Sequence, residues 1–170
     1  VIDESSHSKN STLRERIVEH IFVGEALRLL WNRNITDVEV LRSEFDAFGY
    51  DLVMTLGKIV RHIQLKSGTR KRPGKVSVAR VLAEKPSGCV IWISLGPDLK
   101  IEQFHWFGSN PGSPLPTLGR YPNPKRATHN KAGERPARQN HHEIPASVFQ
   151  PLADLDQVLL KLFGPRARAA

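Results

Sequence analysis

Glu44-Phe45-Asp46-Ala47-Phe48-Gly49-Tyr50-Asp51-Leu52-Val53-Met54, followed by Arg61-His62-Ile63-Gln64-Leu65-Lys66-Ser67-Gly68, is the stretch on which the fold turns. Side chains on a strand alternate between faces, so in a strand over 59–66 Gln64 and Lys66 project together while Ile63 and Leu65 face the other way. The spacing predicts a hairpin turning at Leu56-Gly57-Lys58, with Asp51 opening its first strand. Pairing then sets Asp51 beside Gln64, with Lys66 one step along. A carboxylate, an amide oxygen and an ammonium thus reach one surface, the makings of a metal-dependent hydrolytic site.

Outward from this hairpin, the residues predict a succession of helices and strands. Ser11 or Thr12 is placed to cap a helix running to about residue 32. On its wheel Val18, Ile21, Phe22, Ala26, Leu29 and Leu30 cover a broad apolar arc, with Glu19 and Glu25 inside it. A glutamate on a buried helix face is costly unless it is paired or bound to a metal. Val38-Glu39-Val40-Leu41 reads as the first strand, and residues 42–49 as the connection to the Asp51 strand. Gly49 is expected where a side chain would obstruct the backbone, and Glu44 and Asp46 could supplement the acidic site.

Beyond Lys66 lies a basic loop containing Arg70, Lys71, Arg72 and Lys75. A helix is expected over 76–85, closed by Pro86-Ser87-Gly88, then an apolar central strand over 90–95 and another strand over 99–107 in which Phe104, Trp106 and Phe107 pack. Residues 108–140 are rich in Pro and Gly and carry Arg120, Lys125, Arg126, Lys131, Arg135 and Arg138. This basic excursion is expected to be a DNA-facing loop ordered by its partner. A return to strand at His141-His142-Glu143-Ile144-Pro145 and a helix over 152–163 complete the chain.

The order of elements and the Asp51, Gln64-Leu65-Lys66 pattern resemble the PD-(D/E)XK nuclease superfamily, over roughly residues 12–95. In that family an aspartate opens one strand, and an acid, any residue and a lysine follow on the next. Gln64 stands where the acid is usual, a departure that some branches share. The resemblance implies a restriction-endonuclease-like α/β core, a central mixed sheet flanked by helices. It further implies a DNA endonuclease with catalytic residues Asp51, Gln64, Lys66 and a helix-one glutamate. Glu19 is favoured because it precedes the helix end by the longer distance, and Glu25 is the alternative. Family analogy alone raises a homodimer.

Such chemistry needs charge neutralisation on the phosphate and a water activated at neutral pH, which Mg²⁺, or Mn²⁺ in its place, can supply. Hard cations take oxygen ligands, so Asp51, Gln64 and Glu19 are the candidate metal residues, together with a backbone carbonyl. Replacing an acid by Gln64 removes one negative charge from that set. A non-catalytic nucleic-acid-binding module, or an accessory subunit of the same fold, is the alternative function.

Length and composition are consistent with these expectations. A chain of 170 residues suits a single domain, here with a polar segment 1–11 and the basic excursion 108–140. Lys and Arg number 25 against 17 Asp and Glu, a net charge of +8 that favours a polyanionic partner, DNA. The candidate phosphate contacts are Arg70, Lys71, Arg72, Lys75, Lys125, Arg126, Lys131, Arg135 and Arg138. The lone Cys89 reads as a small buried hydrophobe in a reducing, cytoplasmic setting, and no stretch has the length of a membrane span. The histidines lack zinc-ligand spacing, and no G-x-S-x-G elbow is present.

Overall fold

The computed structural model describes residues 10–45, 48–126 and 128–168. Helix α1, Ser11–Trp31, leads into strand β1, Val38–Arg42. Strands β2, Leu52–Leu56, and β3, Ile59–Gly68, form the expected hairpin, with Leu56 opposite Ile59. Gly57 closes its tight turn at φ +55°, a conformation that glycine adopts without a Cβ penalty.

The remaining strands are β4, Val76–Ala79; β5, Gly88–Leu95; β6, Ile101–Gly108; β7, His141–Ile144; and β8, Gln150–Leu152. Helix α2, Leu155–Phe163, follows. Six strands form a central sheet in the order β1-β2-β3-β5-β6-β8, and β4 and β7 form a small antiparallel sheet of their own. The β3–β5 pair is parallel and the other central pairs are antiparallel, so the sheet is mixed. This α/β architecture is compatible with the expected restriction-endonuclease-like core.

Every residue of β5 is buried, because the central sheet is covered on both faces. On one face Ile91 and Ile93 pack with Phe22 and Ala26 of α1 and with Leu159 and Phe163 of α2. On the other, Val90 and Trp92 pack with Val76, Val78 and Ile144 of the small sheet and with Leu115 and Leu118. Phe104, Trp106 and Phe107 are buried as expected, as is Cys89, whose thiol burial pushes up to about 12. Among the described residues no helix is long and apolar enough to cross a membrane.

Three expectations are corrected. Residues 76–79 form a strand followed by a 3-10 turn, Arg80–Glu84, in place of a helix. The β-branched Val76 and Val78 alternate with Ser77, and their side chains are buried once β7 pairs alongside. The last helix begins at Leu155 and not at Leu152, because Asp154 caps it by accepting the Gln157 N–H at 2.9 Å, while Leu152 belongs to β8. Arg42, assigned to a connection, ends β1.

Candidate active site

The hairpin register ends with Leu52 opposite Ile63, and Asp51 and Gln64 are the next residue on each strand. Two bonds hold Asp51 against β3: the Asp51 N–H donates to the Ile63 carbonyl at 2.9 Å, and the Leu65 N–H donates to Asp51 Oδ2 at 2.6 Å. The strand itself begins one residue later, at Leu52. The chain enters from Gly49, whose φ of +70° and close approach to β4 explain its identity. A Cβ there would stand 2.5 Å from that of Ala79. Asp46, a candidate supplement to the site, and residues 1–9 of the polar N-terminal segment lie outside the described residues.

Asp51, Gln64 and Lys66 line one cleft of about 1100 Å³. Gln64 is 6% exposed, and its Oε1 accepts no hydrogen bond among the described residues. A buried acceptor left so costs roughly 1–3 kcal/mol unless water or a ligand supplies a partner. Lys66 pairs with no carboxylate among the described residues, and Trp92 lies opposite it on β5. The floor of the cleft therefore offers a carboxylate, an unsatisfied amide oxygen and an unpaired ammonium.

Helix α1 forms one wall. Glu19 is buried, and its two oxygens meet Arg42 Nε at 2.8 Å and Arg16 Nη1 at 3.1 Å. Glu25, the alternative helix-one residue, is exposed, pairs with Arg28 and does not line the cleft. Glu15, one turn before Glu19, lines it and was missed in the sequence, although the i, i+4 spacing places both glutamates on one helix face. Ser67 and Ser77 also line the cleft, and each has a buried hydroxyl without a hydrogen-bond partner among the described residues.

Asp51 and Gln64 Oε1 are oxygen donors of the kind a hard divalent ion takes, and Mg²⁺ is commonly held by one or two carboxylates plus substrate phosphate while it keeps several waters. Among the described residues no group of three or more His, Cys, Asp or Glu is placed to hold a metal ion. His62 shares the strand face of Gln64, stacks edge-on to Tyr50 at 5.1 Å, and is held below the usual imidazole range by burial first and then by Lys85 and Arg61.

Of the candidate phosphate contacts, Lys75 and Arg138 line the cleft, with Lys75 bonded to Glu143 at 3.1 Å. Arg80, also missed in the sequence, lines it from the 3-10 turn. Arg70, Lys71 and Arg72 are exposed on the loop after β3, which Ser94 anchors by donating to the Arg70 carbonyl at 2.9 Å. Lys125, Arg126, Lys131 and Arg135 are exposed farther along the excursion.

No protein-family model matches this chain. Nor does any curated protein match it. Among solved structures it is similar to the bacterial homing endonuclease I-Ssp6803I, with 20% identity and a TM-score of 0.37 over 74% of this chain and 80% of that one.

Proposed function

We propose that this chain is a nuclease of the PD-(D/E)XK kind that hydrolyses DNA phosphodiester bonds, with Mg²⁺ or Mn²⁺ held by Asp51 and Gln64. The observation that carries this reading is the buried amide oxygen of Gln64, without a hydrogen-bond partner among the described residues, in the same cleft as Asp51 and on the strand that presents Lys66. When bound, the ion neutralises phosphate charge and lowers the pKa of its water.

The chain's own residues supply orientation and electrostatics. The Leu65 N–H fixes the Asp51 carboxylate, and the Lys66 ammonium stabilises negative charge as it grows on the non-bridging phosphate oxygens. In the reaction the water oxygen bonds to phosphorus and gives up a proton to solvent, the bond to the leaving sugar oxygen breaks, and that oxygen takes up a proton from solvent. Lys75, Arg80 and Arg138 at the cleft hold flanking phosphates, fixing position without reading sequence. Glu19 joins the ion only where Arg42 gives up its carboxylate.

The test is cleavage of supercoiled plasmid and of duplex, branched and single-stranded oligonucleotides with Mg²⁺, Mn²⁺ or EDTA, beside Asp51→Ala and Lys66→Ala. Metal-dependent cutting that both substitutions abolish supports the reading, and failure to cut any substrate with either ion overturns it. A second reading, a binding module without catalysis, is favoured by the commitment of both Glu19 oxygens to arginines. It predicts salt-sensitive DNA binding and no cleavage.

A further inference from the structure

We propose that the paired segment 124–138 of the excursion between β6 and β7 enters the major groove of duplex DNA as a two-stranded ribbon, so that the substrate presented to the cleft is base-paired. This rests on the nucleic-acid reading of the cleft, and it adds the substrate class and the surface that selects it.

Residues 124–138 of the excursion pair with one another. Lys125 bridges Ala137 in antiparallel register, the Arg126 N–H donates to the Pro136 carbonyl at 2.9 Å, and the Arg138 N–H donates to the Pro124 carbonyl at 2.7 Å. At the far end the Asn130 N–H donates to the Glu134 carbonyl at 2.8 Å, while Asn130 Oδ1 accepts from the backbone of Ala132 and Glu134. At the base Asn123 Nδ2 donates to the His141 carbonyl at 2.7 Å, and the Glu143 N–H donates to the Pro122 carbonyl at 2.8 Å, tying the first arm to β7, into which the second arm runs directly. Every described residue from 125 to 140 is nevertheless exposed. A segment bonded to itself whose described side chains are exposed has a surface available for a partner.

The register distributes its charge. Side chains alternate along each arm, so the Lys125–Ala137 pair places Lys125 and Arg135 on one face and Arg126 and Arg138 on the other. Residues 122–140 contain five Lys or Arg and one acid, Glu134. A ribbon lying flat on a single phosphate backbone needs cations on one face only. Cations on both faces suit a channel walled by phosphates on each side, which a duplex groove is. The major groove of B-form DNA, about 12 Å wide, admits a two-stranded ribbon as it stands, whereas the minor groove of about 6 Å is bound by proteins that kink the duplex, commonly with an apolar wedge. Arg138 also lines the cleft, so the base of the ribbon adjoins the site proposed for cleavage.

The experiment uses the full chain carrying Asp51→Asn, in EDTA, so that binding is read without cutting. Fluorescence anisotropy compares a DNA duplex of about 20 base pairs, or two helical turns, with its single strand and with the RNA duplex of the same sequence. A-form RNA carries the same charge in a major groove too narrow for side chains to read. The expected result is preference for the DNA duplex of at least tenfold. Lys125→Ala with Arg135→Ala on one face, or Arg126→Ala on the other, should remove most of that preference and lower the salt slope by about one per lost phosphate contact. Circular dichroism of these exposed-site variants confirms that they fold. Equal affinity for all probes, unchanged preference in the variants, or no DNA binding, as expected if the ribbon takes an acidic protein, would each overturn the proposal. Wild-type cleavage is scored separately: duplex preference without cutting sinks only the nuclease reading, and cutting without preference sinks only the ribbon.

Discussion

The backbone N–H of Leu65 donates a 2.6 Å hydrogen bond to Asp51 Oδ2, across the hairpin that carries Gln64 and Lys66. The bond fixes the carboxylate by the same strand that presents its proposed partners. Asp51→Asn keeps an oxygen to accept it and removes the charge. Its melting temperature is expected to stay within a few degrees of wild type, while cleavage falls by at least the roughly 10–100-fold that loss of an outer-shell partner of a metal costs. A normally folded variant that cuts at the wild-type rate would remove Asp51 from the chemistry.

Gly49→Ala puts a Cβ 2.5 Å from that of Ala79, on a residue at φ +70°. Non-glycine residues in sparsely populated backbone regions cost of order 1–3 kcal/mol, and the contact adds to that. Thermal unfolding should show a loss of this size, and adding Ala79→Gly should recover only the contact part. Activity should fall as well, because the displaced segment leads directly into Asp51.

Arg61 is fully buried and forms no ion pair with a carboxylate among the described residues. Its guanidinium lies 5.2 Å from the Trp106 ring centroid and donates to the Ser87 hydroxyl at 3.0 Å and to the carbonyls of Ser109 and Asn110, both at 3.1 Å. Arg61→Met fills similar space but leaves these acceptors without their donor, at a cost of roughly 1–3 kcal/mol. Chemical denaturation measures the loss. Hydrogen exchange should quicken at Gly112, whose N–H donates to the same Ser87 hydroxyl at 3.2 Å.

His62 and His105 both titrate below the ordinary value of 6.5, chiefly because burial disfavours the charged ring. As pH falls through 6.5 the unfolded chain takes up protons that the folded chain refuses, so stability declines on acidification and is restored above that value. Urea unfolding at about pH 7.5 and 5.5 should show a lower midpoint at the acid end. The double variant His62→Gln, His105→Gln should flatten the difference, and an unchanged slope would reject the assignment.

The hairpin was legible because its information is local: a period of two, a glycine turn and one register decide where Asp51, Gln64 and Lys66 go. Gly49 was legible for the same reason. The segment 76–79 was misread because four residues of Val, Ser and Ala suit several structures, and its partner strand β7 lies far along the chain. Glu19 and Glu25 fell on one apolar arc of the wheel, and only packing separated the buried residue from the exposed one. The excursion offered charge and Pro–Gly content, but the bridge between Lys125 and Ala137 that makes it a ribbon leaves no periodic mark.

The residues proposed for bond breaking sit at the β2–β3 hairpin, whereas the segment proposed to select duplex DNA lies between β6 and β7. On that proposal the form of nucleic acid accepted and the cutting chemistry reside on separate stretches of chain, so exchanging the one should change duplex preference while the hairpin bonds that hold Asp51 stay in place.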